Sequence, residues 1–76
     1  MKRSEAKIII FLEAADIQLC FARHISNKLK MDYGYLLRQL NLLKEKKWIT
    51  IATRKDNKVF YRLTSIAPHE QAKKLL

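Results

Sequence analysis

The sequence predicts a mainly α domain with one β-hairpin, in the order helix–helix–helix–strand–strand–helix. Three observations carry this. Apolar residues recur at helical spacing in three stretches before Trp48. Two runs rich in β-branched and aromatic residues follow, parted by Lys55-Asp56-Asn57. Pro68 then introduces a last short helical stretch. Seventy-six residues with a single Gly and a single Pro leave no room for a linker, so residues 1–76 read as one domain. An apolar share of 49% and a charged share of 30% are ordinary for a folded protein. A chain this short buries only about 60% of its unfolded surface, and such domains often gain stability by pairing.

The first helix is expected over residues 4–15, capped by Ser4 with Glu5 favourably placed against the dipole. Ile8, Ile9, Phe11, Leu12 and Ala15 cover more than one of its faces. Part of that stripe is expected on the core and part on another subunit. Asp16-Ile17-Gln18 reads as a connection or a brief strand. A second helix is expected from Leu19 to about Asn27, with Leu19, Phe21, Ala22 and Ile25 on one side and Arg23 and His24 facing away. Ser26-Asn27-Lys28 would end it without a glycine. Asp32 is the expected cap of a third helix reaching Lys46 or Lys47. Its core stripe is Leu36, Leu40 and Leu43, with Leu37 beside it, and Lys44, Lys46 and Lys47 suit the negative end of its dipole.

The strands are expected at Trp48–Arg54 and Lys58–Thr64, joined by a tight turn for which Asp56 and Asn57 are suited. Strict alternation would put Ile49, Ile51, Val59, Tyr61 and Leu63 on the buried face and Arg54, Lys58 and Arg62 on the other. The last helix is expected from Ala67 to Leu76, with Ala72, Leu75 and Leu76 forming a small apolar side. The two terminal helices, 4–15 and 67–76, are the expected dimerisation elements of a homodimer.

Charge is the first functional signal. Sixteen Lys and Arg oppose seven Asp and Glu, giving +9. Between residues 21 and 62 eleven basic residues face only Asp32, Glu45 and Asp56, so +8 of the total lies there. That concentration fits a polyanionic partner. Other chemistry is missing. Cys20 stands alone, which excludes an internal disulfide and reads as a small hydrophobe in a reducing compartment. His24 and His69 lie in no metal-ligand spacing with it. No carboxylate pair, Gly-rich phosphate loop or nucleophile motif occurs, so neither catalysis, a metal nor a cofactor is expected, and no small-molecule ligand can be identified. The longest apolar run, Ile8–Leu12, is five residues against the roughly 20 that cross a bilayer. Met1-Lys2-Arg3 is followed by no signal-peptide core. A cytoplasmic protein is expected.

A helix, a turn, a second helix and a basic-tipped hairpin together make a winged helix-turn-helix. A helix about 10–12 Å across enters the major groove of DNA, and the hairpin reaches the neighbouring backbone or minor groove. Over residues 19–64 the chain resembles the bacterial and archaeal winged-helix regulators of the MarR and ArsR kind. Phe21-Ala22-Arg23-His24-Ile25 is similar to the Leu-Ala-x-x-Leu of their positioning helix. Leu36 to Ile49 is similar to their recognition helix and its exit, which usually ends Leu-x-x-x-Gly-Leu-Ile, and Val59-Phe60-Tyr61-Arg62-Leu63-Thr64 to the returning wing strand. Lys47 stands where those families have glycine, so either Lys47 adopts a left-handed backbone or the helix exits differently. The turn before the third helix reads about two residues longer than their commonest form.

The resemblance implies double-stranded DNA as partner, a nucleoid location and a role in transcription. It puts Tyr33, Gly34, Tyr35, Arg38, Gln39 and Asn41 in the major groove, and Lys28, Lys30, Arg54, Lys55, Lys58 and Arg62 on the backbone from the turn and wing. Gly34 would admit the DNA closely or serve as a turn residue. Tyr33 and Tyr35 would meet phosphates and thymine methyls, or one of them would pack in the core. The rival readings are an architectural DNA-coating protein, a winged-helix protein-interaction module and, with less support, an RNA binder.

Overall fold

The computed structural model describes all 76 residues. α1 (Arg3–Ala14) leads through a one-turn 3-10 helix (Ile17–Leu19) to α2 (Ala22–Leu29) and α3 (Tyr33–Glu45). β1 (Ile49–Lys55) and β2 (Lys58–Leu63) form an antiparallel hairpin, and α4 (His69–Leu75) closes the order. The expected fold class holds, with local differences that have physical causes.

α1 starts before Ser4, with Lys2 as its N-cap. The Lys2 backbone N–H donates to Glu5 Oε1 at 2.8 Å, so a carboxylate three residues on caps the helix instead of the Ser4 hydroxyl. The apolar block of α1 is absorbed within the chain. Ile8, Ile9 and Leu12 are buried, and Ile10 and Phe11 are half-buried against the same core. Most of the stripe expected to serve both the core and another subunit is thus covered within the chain, because α2, α3, β2 and α4 all pack on α1.

α2 begins three residues later than expected and runs past Asn27 to Leu29. Leu19 falls in the preceding 3-10 turn and is exposed, not inward. His24 is drawn in: it packs between Phe11 and Phe21, with ring centroids 6.0 and 5.8 Å away. Ser26, expected to break the helix, is buried in it and donates to the Arg23 carbonyl at 2.9 Å. The longer helix shortens the connection to Lys30-Met31-Asp32, an ordinary three-residue helix-turn-helix turn. Lys30 closes α2 in the left-handed region, φ 55°. Asp32 caps α3 as expected, accepting the Tyr35 N–H at 3.0 Å. Leu36, Leu40 and Leu43 are fully buried at the centre of the core.

The hairpin turns through Asp56 and Asn57, φ 54° and 61°, the signature of a type I′ turn. Its ladder is not continuous. Ile51 faces Tyr61 while Thr53 faces Phe60, so Ala52 is the extra residue of a bulge. Beyond the bulge each β1 side chain changes face. Arg54 pairs with Val59 and shares the Tyr61 side, whereas Lys58 and Arg62 remain on the other. The reading that grouped all three cations is corrected accordingly. Phe60 and Tyr61, consecutive and therefore on opposite faces of β2, are both buried. Phe60 bridges Phe21 through a single antiparallel pair and meets its ring edge-on at 5.6 Å. α4 starts at His69, with Pro68 as its cap, and buries Ala72.

Candidate nucleic-acid interface

α3 turns its core stripe inward, which fixes what it turns outward. Gly34, Arg38 and Asn41 recur at i, i+4 and i+7, and all three are exposed. Gly34 lies inside the first turn with no positive φ, so it is no turn residue. A Cβ there would stand 3.3 Å from Asp32 Oδ2, close to the capping carboxylate. Tyr33, half-buried, leads the helix and carries the Arg23 guanidinium 3.9 Å above its ring centre.

Two expected interface residues turn the other way. Gln39 is buried, and its Oε1 accepts from Ser4 Oγ at 3.3 Å. With that proton committed, the Tyr35 hydroxyl donates to Ser4 Oγ at 3.0 Å. Gln39 and the Tyr35 hydroxyl thus tie α3 to α1. Sequence reading missed this because a mid-helix Gln defaults to the surface, and its partner lies 35 residues away. Glu5 completes the seam. Burial pushes its carboxyl up, but the Lys2 N–H and the Lys46 ammonium at 2.7 Å outweigh that and hold it below the usual carboxylate value.

The wing tip brings Arg54, Lys55 and Lys58 around a shallow depression that Asp56, Asn57 and Val59 also line. All three are exposed and none joins an ion pair; the ion pairs are Glu5–Lys46 and Glu13–Lys73, and His69 Nδ1 stands 3.3 Å from Glu13 Oε2. Arg62 is exposed opposite Thr50, away from the tip. Lys28 and Lys30 are exposed at the end of α2. Between wing and α3 runs a groove of about 290 Å³ lined by Phe21, Arg23, Tyr33, Leu37, Lys58 and Tyr61, among others. Burial pushes the Tyr61 phenol up. Burial and the Asp16 charge push the Cys20 thiol up as well, which leaves it protonated and unreactive at neutral pH. No three His, Cys, Asp or Glu side chains gather as metal ligands. No helix is long and apolar enough to cross a membrane.

No family model matches the chain, and no curated protein matches it in sequence. Solved structures do. A mutant of MarR from E. coli superposes with a TM-score of 0.82 at 22% identity, over 99% of this chain and 57% of that one. A mutant of Lactococcus lactis ZitR gives 0.75 at 27% identity, over 95% and 48%. Streptococcus pneumoniae FabT, solved in complex with DNA, gives 0.74 at 22% identity, over 99% and 54%. The chain spans about half the length of these proteins. From end to end, it has the winged helix-turn-helix fold of MarR.

Proposed function

We propose that the chain binds double-stranded DNA as a small transcriptional regulator, with α3 in the major groove and the wing on the adjoining backbone or minor groove. The observation that carries this reading is the outward stripe of α3 beside a wing tip whose three cations join no ion pair and outnumber its one carboxylate, Asp56. The likeness to FabT, itself bound to DNA, supports it. Arg38 can donate two hydrogen bonds to guanine O6 and N7, and Asn41 can pair with adenine N6 and N7. Gly34 lets the duplex approach. Arg54, Lys55, Lys58, Lys28 and Lys30 suit phosphates. Arg62 has a weaker claim, and Gln39 and Tyr35 serve by holding α3 in place. Binding as a homodimer and residence at the nucleoid belong to the same proposal. An architectural role is the second reading, because only Arg38 and Asn41 on the stripe carry base-reading groups.

A duplex titration at several salt concentrations tests this. If each half of a dimer engages three or four phosphates, log K against log salt has a slope of about −5 to −7. Arg38→Ala should cost about 1–3 kcal/mol and relax preference at one position per half-site, while Lys58→Ala weakens all duplexes alike. A slope near zero would falsify the DNA assignment. Equal, sequence-independent losses from both substitutions would leave the architectural reading.

A further inference from the structure

The groove between the wing and α3 carries a cation on each wall, and each cation rests on an aromatic ring. From α2, Arg23 stacks on Tyr33, its Cζ 3.9 Å from the ring centre. From β2, Lys58 holds its Nζ 4.8 Å above the Phe21 ring. That ring is itself fixed edge-on against Phe60. The remaining lining is Ala22, Leu37, Asn57, Val59 and Tyr61, with no carboxylate among them. Neither Arg23 nor Lys58 joins an ion pair.

We infer that this groove seats one backbone phosphodiester of duplex DNA between the Arg23 guanidinium and the Lys58 ammonium. The inference rests on the DNA-binding reading above and adds Arg23, which the sequence assigns only to a solvent face. A ring beneath a cation holds its position without cancelling its charge. A guanidinium held over a ring keeps N–H donors at its rim for an anion. Two uncompensated charges over mostly apolar walls concentrate the field on whatever lies between them. A strand passing from a helix in the major groove to a wing beside it crosses this interval, so a strand phosphate is the anion the geometry favours over a free one.

The test is fluorescence anisotropy with a labelled duplex, using the whole chain and a series of salt concentrations. Arg23→Ala should make the salt slope shallower by about 0.9 for each bound copy, on specific and scrambled duplexes alike. Tyr33→Leu keeps the charge but removes its platform, so the slope should hold while affinity falls about two- to fivefold. In the Arg23→Ala background Tyr33→Leu should cost nothing further. Inorganic phosphate at matched ionic strength should leave duplex affinity unchanged. Thermal unfolding of each variant separates these effects from misfolding. Lys58→Ala, lying on the exposed hairpin, gives the same slope change should Arg23→Ala fail to fold. A steep wild-type slope that survives Arg23→Ala in a folded protein overturns this inference alone, as does a Tyr33→Leu loss that persists without Arg23. Competition by free phosphate would make the groove a free-anion site and overturn it too. A wild type that binds no duplex overturns it together with the DNA reading.

Discussion

At the scale of single residues, the backbone at Lys47, like that at Lys30, carries a conformational cost. Its φ of 63° is left-handed, and it lies where the chain leaves α3 for β1. Thr64 Oγ1 donates to the Lys47 carbonyl at 2.6 Å, which pins the turn. A side chain in that conformation costs about 1–2 kcal/mol. Glycine would remove most of that penalty but give back about 0.4–1 kcal/mol through a freer unfolded chain. Lys47→Gly should therefore raise stability by roughly 0.5–1 kcal/mol, read as a higher urea midpoint; a lower one would mean that the lysine side chain contributes contacts outweighing the strain. This position was legible in the sequence because a glycine is usual there. The Arg23–Tyr33 stack was not. A second helix starting at Leu19 offers no reason to bring residue 23 over residue 33, and only the later start at Ala22 gives Arg23 its place.

At the scale of elements, α1 and α3 share a polar seam made by consecutive residues. Ser4 reaches Tyr35 and Gln39, and Glu5 reaches Lys46, so one turn of α1 holds the outward helix at three points along its length. Glu5 is buried whereas Lys46 is almost half exposed, so losing the carboxylate lets the ammonium rehydrate. Glu5→Gln should then cost roughly 1.5–3 kcal/mol, the range for a hydrogen bond to a charged group, less than for a fully buried pair. The pH dependence has a definite sign. Because the folded carboxyl lies below its unfolded value of about 4.3, its contribution is complete above that pH. It is lost as pH falls through the lower folded value. Urea midpoints taken across pH 3–6 should show wild type losing more than Glu5→Gln on the acid side; parallel curves would remove Glu5 from the account. α3 was legible because Leu36, Leu40 and Leu43 keep one helical period. The hairpin faces were legible only up to Ile51. A bulge leaves no mark on alternation, and Ala52 carries no turn residue to announce it.

At the scale of the whole molecule, the chain ends pack on each other first. Glu13 of α1 meets His69 and Lys73 of α4 at 3.3 and 3.4 Å, and Arg3 Nη1 donates to the Leu75 carbonyl at 3.1 Å. Toward the chain ends the exposed large apolar side chains are Met1, Ile66, Leu75 and Leu76, exposed by 40, 62, 37 and 52%. Leucine and isoleucine yield about 1.5–3 kcal/mol when buried from full exposure, so these half-exposed chains offer on the order of 1 kcal/mol each. Eight of them across a two-fold axis give about 8 kcal/mol, against an association cost of at least about 4. A homodimer on this surface would be loose, and adjacent half-sites on one duplex would help hold it. Leu75→Glu with Leu76→Glu should shift the thermal midpoint by only about 2–6 °C, since both side chains are partly exposed at the chain end. The net of about 4 kcal/mol corresponds to a Kd of about 1 mM, so the same change should remove the self-association that sedimentation detects at millimolar protein. It should also abolish any preference for palindromic duplexes whose half-sites lie about 34 Å apart. An intact protein that sediments as a monomer and prefers no such spacing binds DNA as a single winged helix, and the dimer is then no part of its function.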